Sequence, residues 1–243
     1  MRFKFIVSSL AMLLFGCNKS GIKSGENVDP AETDSTKLSY ILSPPVTKGN
    51  VTLEEAISKR RSRRNIQSKE ISAEQLSQIL WACYGITSPQ SGPSHIGGGL
   101  RSTPSAGALY PLDIYVLVGN VKGIEPGVYK YIPKGHRIIR TIDKDTRKEL
   151  SDVASNLKII SLAPVVLVYS AVFSRCTDKF GSIGRERYVC MEVGHSAQNV
   201  YLQVEALHLG TYVIGWFNDN KVKRIMQLRK DQDPLYIMPV GYY

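Results

Sequence analysis

Four guanidinium groups stand within five residues at Arg60-Arg61-Ser62-Arg63-Arg64. Like charges at this density belong on an open surface or against an anion that neutralises them. The hydroxyl of Ser62 among forked Arg donors is the mixture that a phosphate monoester needs. A generic basic surface run is the competing explanation. A second stretch, Pro104-Ser105-Ala106-Gly107-Ala108-Leu109-Tyr110-Pro111, is rich in small residues between two prolines. Small residues let backbone N–H groups approach a planar or anionic ligand closely. In a third, the apolar run Thr211 to Phe217 is interrupted by Gly215, which marks a bulge or a close approach of backbone to something else. Lys179 is a candidate base, beside the plainer alternative of a solvated loop lysine.

Other chemistries find no support. Gly97-Gly98-Gly99 is followed by no Lys-Ser/Thr pair and is no phosphate loop of that kind. The cysteines Cys17, Cys83, Cys176 and Cys190 fit no zinc or iron–sulfur spacing. The sequence shows no convincing pairing of any of the four histidines with a Ser or Cys nucleophile, which sets hydrolase chemistry aside. The net charge of +10 is compatible with nucleic acid, an anionic membrane surface or a phosphate-bearing ligand. Nucleic acid is disfavoured, because no basic sheet with interleaved aromatics is present and the chain carries an export signal.

That signal is residues 1–16, a short basic start and an apolar run, the pattern of a signal peptide. Leu14-Phe15-Gly16-Cys17 resembles a bacterial lipobox, so Cys17 is expected to carry lipid. Residues 17–50, rich in Ser, Lys, Asn, Asp, Gly and Pro, read as a flexible tether. Residues 51–243 form one domain. The expected location is the cell envelope, lipid-anchored to a bacterial membrane.

The elements that must position the three motifs follow from periodicity. Arg187 to Leu209 reads as one long helix stopped by Gly210. Apolar residues on both of its sides make it a buried central helix. Its polar members, Glu192, His195, Gln198, Asn199 and Gln203, need partners in the core or on a ligand. Ser72 to Tyr84 is an amphipathic helix with Ser72 as N-cap, Gln75 completing a capping box and Gly85 ending it. Acids after Thr52 mark a helix start, and Asp145–Leu157 and Asn220–Leu228 read as further helices. Arg175–Arg187 reads as a charged loop. Strands are expected at Asp113–Val118, in a hairpin over Val128–Thr141, at the nearly all-apolar and so central Pro164–Phe173, and at Pro234–Tyr242. No βαβ rhythm is present, which favours α+β.

Taken together, the pieces resemble the nitroreductase family, and more closely its SagB-type dehydrogenase branch. RRSRR matches the family's RRSxR start. PSAGALYPLDIYVLV matches its small-residue block, and GVYKYIP, the run from Arg187 to Gly210, and DPLYIMPVG follow in the family's order over about residues 51–242. The resemblance implies an α+β fold with a central, mostly antiparallel sheet flanked by helices around a long buried helix, and FMN bound at a homodimer interface. It implies that Arg60, Arg61, Ser62 and Arg64 hold the FMN phosphate and ribityl chain. Pro104, Ser105, Ala106 and Ala108 would come from the partner subunit to flank the isoalloxazine. Ile214 and Gly215 would offer backbone groups near the reactive nitrogen.

Two departures are visible. Many members carry a basic phosphate ligand beyond the final strand; Tyr243 stands last here, and Arg101 or Arg63 is the expected substitute. Azoline-oxidising members carry a Lys-Tyr pair before the central helix; here it is Lys179-Phe180, and Phe neither donates nor accepts a proton. The expected function is an FMN-dependent oxidoreductase that works by a ping-pong cycle. NAD(P)H or a redox protein would be the donor, and a small molecule or peptide the acceptor. The alternatives are a non-catalytic flavin- or ligand-binding lipoprotein and a peptide-modifying dehydrogenase.

Overall fold

The computed structural model describes residues 36–91, 99–155 and 157–243. The leader, Cys17, most of the expected tether and Gly97-Gly98 lie outside the described residues. No helix among the described residues is long and apolar enough to cross a membrane.

The strands are β1 (Ser39–Ile41), β2 (Ile86–Ser88), β3 (Leu100–Arg101), β4 (Leu112–Val118), β5 (Gly127–Ile132), β6 (Arg137–Ile142), β7 (Val165–Val172), β8 (Gly210–Thr211) and β9 (Gln232–Gly241). The helices are α1 (Leu53–Lys59), α2 (Ala73–Tyr84), α3 (Arg147–Val153), α4 (Lys158–Leu162), α5 (Ser174–Phe180), α6 (Cys190–Ala206) and α7 (Asp219–Ile225). Seven strands form one sheet in the order β1-β6-β5-β4-β7-β9-β8. Every pairing in it is antiparallel. β2 and β3 make a separate pair. The fold is α+β and nitroreductase-like, with helices on both faces of the sheet.

The side-chain alternation of β4 shows why its sequence is apolar throughout. Ile114, Val116 and Val118 join the core under α2 and α6, while Tyr115 and Leu117 join the core under α3, α4 and α7. β7, the neighbour of β4, is buried at every residue for the same reason. At α2 the capping box forms as its sequence requires, with the Gln75 N–H donating to Ser72 Oγ at 3.1 Å. Gly85 ends that helix for lack of space: a Cβ there would lie 2.5 Å from Trp81 Cδ1.

Four expectations are corrected. The long helix is shorter: residues 184–189 wind as a wider π-helical turn, and regular α-helix runs only over α6. It ends in a Schellman motif with His208, not Gly210, in the left-handed region at φ 55. There the Leu209 N–H donates to Val204 O at 2.8 Å and the His208 N–H to Glu205 O at 3.1 Å. The helix is also not buried all round. Val193, Ala197, Val200 and Val204 face the core, whereas Met191 is 53% exposed. Arg175–Arg187 is not a loop but α5 and the π turn, anchored by buried Cys176 and Val189 under charged neighbours. Asp145–Leu157 is not one helix: α3 ends before Ser155, which turns left-handed at φ 58, and α4 follows. Finally, the fold begins before residue 51. β1 adds to the edge of β6, Leu42 is buried, and the Val46 N–H donates to Gln78 Oε1 at 2.8 Å.

Candidate functional site

α1 starts on Thr52, whose side chain accepts the Glu55 N–H, and ends at Lys59; the Arg-rich run leaves it extended. The Arg60 guanidinium lies 5.3 Å over the ring of Tyr201 on α6. Ser62 Oγ lies 3.3 Å from the Tyr201 hydroxyl. Arg64 lies 5.2 Å over the ring of Tyr212. Tyr201 also accepts the Val213 N–H at 2.9 Å. One side chain therefore clamps the Arg-rich run to the segment that carries Gly215. The two chains run close enough for the Arg63 N–H to donate to Thr211 O at 2.9 Å. Gly210 permits this, since a Cβ there would sit 2.7 Å from Arg63 Cβ.

Among the described residues most of the charge of this cluster meets no acid. Among the described residues Arg60, Arg61 and Arg64 form no ion pair. Arg61 donates instead to the carbonyls of Ser58 and Arg60 at 3.0 and 2.8 Å, closing the end of α1. Arg63 is engaged elsewhere, 3.7 Å from Glu205 and over the ring of Tyr243 at 4.2 Å. Arg101 is stacked between Tyr84 and Tyr110 at 4.3 and 4.4 Å. Neither expected substitute ligand thus joins Arg60, Ser62 and Arg64. Those three groups, with Tyr201 behind them, fit an anionic group of phosphate type.

Of the next pair, only one backbone is free. Ile214 exchanges both of its hydrogen bonds with Ile237 of β9, at 2.9 and 3.0 Å, and its side chain is buried. The expectation that Ile214 offers backbone groups to a ligand is corrected: the sheet already holds them. The Gly215 N–H has no partner among the described residues. A Cβ at Gly215 would meet only Tyr236 at 3.7 Å, so nothing in the chain itself demands glycine there. Trp216 beside it is 83% exposed.

The segment that leads into the loop of Pro104, Ser105, Ala106 and Ala108 is held to α6 at Asn199. No hydrogen bond or ring contact among the described residues joins this loop to the Arg cluster. Gly107, Ala108 and Tyr110 are left-handed, at φ 61, 54 and 47, and the loop is tied down accordingly. Ser105 Oγ accepts the Tyr110 N–H at 2.9 Å, Arg175 Nη1 donates to Tyr110 O at 3.3 Å, and Asn199 Nδ2 to Ser102 O at 3.1 Å. Strained non-glycine backbone persists only where its surroundings over-determine it. Lys179 ends α5 with its ammonium beside this loop: a Cβ on Gly107 would be 3.2 Å from Nζ. Lys179 is exposed, and Phe180 packs edge-on against Tyr188.

A match to the family model described as the nitroreductase family spans residues 57–242. This chain belongs to the nitroreductase family. It is thereby a flavin oxidoreductase by family. A nitroreductase by name from Methanocaldococcus jannaschii is 44% identical over 191 residues, covering 79% of this chain and 91% of that protein. The microcin B17-processing protein McbC of Escherichia coli is 26% identical over 147 residues, 58% of this chain and 54% of that one. Among solved structures, a nitroreductase by title from Anabaena variabilis superposes with a TM-score of 0.72 at 26% identity, over 86% of this chain and 42% of that one. NADPH:FMN oxidoreductase from Vibrio harveyi, complexed with NAD+, shares the fold, with a TM-score of 0.53 at 19% identity over 78% of this chain and 68% of that one.

Two participants in this nitroreductase-family site carried no usable signal in the sequence. Tyr201 is one of 13 tyrosines in the chain, and only the fold shows that it joins two motifs. Glu192 was visible as a polar exception on that helix, but nothing in its spacing revealed that one of its oxygens is buried without a partner.

Proposed function

We propose that the chain is an FMN-dependent oxidoreductase of the SagB-type dehydrogenase branch. It would work by a ping-pong cycle in which a donor reduces the bound flavin and leaves before an acceptor is reduced. The observation that carries this reading is the Arg60–Ser62–Arg64 cluster, which has no acid partner among the described residues and is clamped by Tyr201 to the segment that carries Gly215. FMN, when bound, supplies the hydride or electron transfer itself. Arg60 and Arg64 would neutralise its phosphate, Ser62 would donate to it, and the Gly215 N–H would face the ring system.

The domain would act as a homodimer. Among the described residues no hydrogen bond or ring contact joins the Pro104–Ala108 loop to the Arg cluster, and α6 leaves Met191 open; a second copy would supply the loop and cover the helix. The donor is NAD(P)H or a redox protein. A peptide acceptor is favoured by the likeness to McbC, whose name states peptide processing; Phe180 argues against azoline oxidation in particular. The chain would be held at the cell envelope through a lipid on Cys17, a reading that rests on Leu14-Phe15-Gly16-Cys17. C17S is then expected to move the full chain from the membrane fraction to the soluble one.

The central test is the visible spectrum of the purified domain after incubation with FMN and desalting. Retained flavin bands, lost in the R60A/R64A double variant, support the assignment. A folded but colourless wild type refutes it and leaves a non-catalytic binding lipoprotein as the better reading.

A further inference from the structure

The turn over residues 214–218 is pinned to the fold on both sides of its middle. Ile214 exchanges its two hydrogen bonds with Ile237 at 2.9 and 3.0 Å. Phe217 packs against the core under α3, α4 and α7. The Asn218 N–H donates to Val153 O at 3.4 Å, and the Asn218 side chain caps α7 by accepting the Lys221 N–H at 3.0 Å. Between these pins Trp216 turns outward and is 83% exposed. Among the described residues its indole N–H donates to nothing and its ring meets no other ring and no cation. The chain has two tryptophans, and the other is used by the fold: Trp81 donates its Nε1–H to Ile86 O at 3.3 Å.

A single exposed apolar side chain is ordinary on a protein surface. The place of this one is not. The residue before it is Gly215, itself exposed, whose N–H makes no hydrogen bond among the described residues. A Cβ on Gly215 would meet only the ring of Tyr236, at 3.7 and 3.9 Å, so the space beside the indole is open. Three residues before Trp216, Val213 is tied through Tyr201 to Ser62 in the basic cluster. The indole therefore stands on a fixed backbone, on the segment joined to the anion-type cluster, next to an open peptide group. A platform held in place beforehand costs little ordering when a ligand arrives. Its flat apolar face suits another flat ring.

We propose that Trp216 is a specificity-determining residue of this site, and that its indole stacks on the flat conjugated ring of a reaction partner, the nicotinamide of NAD(P)H or a quinone-type acceptor. The proposal rests on the reading that Gly215 faces the flavin ring system. In a ping-pong cycle donor and acceptor occupy one place in turn, so one platform can serve either. Stacking selects by shape: it favours a planar partner over a compact ion. It takes no part in the transfer itself, and a contact made equally before and during the reaction shows in binding rather than in the limiting rate.

The test uses the FMN-loaded domain and its W216A and W216F variants in a stopped-flow instrument. Three half-reactions are followed: reduction by NADH and, after chemical reduction, reoxidation by menadione or by ferricyanide, an acceptor without a ring. In W216A the half-saturating concentration of NADH, of menadione or of both should rise about tenfold, the scale of one aromatic pair. The rise should be out of proportion to any fall in the limiting rate and to any change with ferricyanide, and W216F should recover most of it. A rise with NADH alone assigns the platform to the donor, and a rise with menadione alone assigns it to the acceptor. A second readout needs no turnover. Of the two indole N–H resonances, the one lost in W216A should move when NAD+ or menadione is added to the oxidised, FMN-loaded domain, while that of Trp81 stays. W216A equal to wild type with both rings, or no saturation with either, overturns the proposal. So does an equal change with ferricyanide or a loss of FMN in W216A, which would set the indole against the flavin itself. So does a W216A dimer that dissociates, which would assign the indole to a subunit contact. In all these cases a wild type that retains FMN leaves the reading of the site standing. A wild type that retains none overturns that reading, and this proposal with it.

Discussion

Two groups of cations in this molecule use the same residue types in opposite circumstances. Around Asp113 the charge is gathered inward. Arg175 Nη1 and Gln232 Nε2 donate to its two oxygens at 3.0 and 2.6 Å. Lys130 and Arg229 stand at 3.6 and 4.0 Å from Oδ2. Asp113 is 7% and Lys130 2% exposed. Tyr115 and the Arg229 N–H in turn donate to Gln232 Oε1, at 3.1 and 2.9 Å. Against the cost of burial, Arg175 and Lys130 hold the Asp113 carboxyl below the ordinary value. At Arg60–Arg64 the reverse holds: Arg60, Arg63 and Arg64 rest on aromatic rings, Arg61 on carbonyls at the end of α1, and among the described residues only Arg63 meets an acid. Cations that answer a buried carboxylate hold the fold together. Cations left unanswered beside an open backbone N–H are arranged for something that arrives from outside.

The difference can be broken from either end. The largest effect is expected from D113A, which removes the buried carboxylate that Arg175, Lys130 and Arg229 face. Loss of one partner of such a group costs about 3–5 kcal/mol, read as a lower urea midpoint, while any FMN bound per folded molecule stays the same. The sign with pH follows from the lowered pKa. The contribution of Asp113 is fully present above the unfolded value, about 3.9, and is lost as pH falls through the lower folded value. Wild-type stability should therefore drop in acid more steeply than that of the variant.

R60A/R64A is the counterpart. It should leave the urea midpoint within about 0.5 kcal/mol of wild type, as exposed substitutions do. FMN affinity should fall by about a hundredfold or more, from two charge-assisted contacts of roughly 1.5–3 kcal/mol each. A stability loss without an affinity loss would assign this cluster to the fold instead.

E192Q tests a third circumstance, a buried acid without enough partners. A folded pKa raised to about 6 means that Glu192 favours the fold at low pH and opposes it as pH rises through that value. Between pH 4 and 8 E192Q should gain about 2 kcal/mol on the wild type in stability. Y201F touches both the cluster and the Gly215 segment. Leaving the Val213 N–H without its acceptor should cost about 1–2 kcal/mol and weaken FMN binding several-fold. The smallest structural effect is expected from G215A. The nearest atom to the new methyl is 3.7 Å away, so thermal stability should hold, and a fall in FMN binding or turnover would show that the glycine serves the ligand.

The parts legible in the sequence were those fixed by local rules. The capping box of α2, the hairpin of β5 and β6 and the buried strand β7 depend on neighbours close in sequence or on periodicity, and they stand where their residues place them. Motif order also survives translation into structure, which is why the family could be recognised from RRSRR and the Pro104–Pro111 block. Glycine misled where its role was steric. Gly210 looked like a helix stop, but His208 takes the left-handed position and Gly210 yields space to Arg63, a neighbour far away in the chain. Ile214 looked like half of a ligand site, but its backbone is held by Ile237.

By itself, then, the sequence determined composition, most element types and the presence of a dense basic cluster, because these follow from side-chain chemistry and spacing. Only the tertiary structure decided which polar groups are already answered. That depends on contacts between residues far apart in the chain: Tyr201 with Ser62, Asp113 with Gln232, Tyr84 with Glu192. A hydrogen-bond donor or a charge becomes available to a ligand only when the fold has left it without a partner.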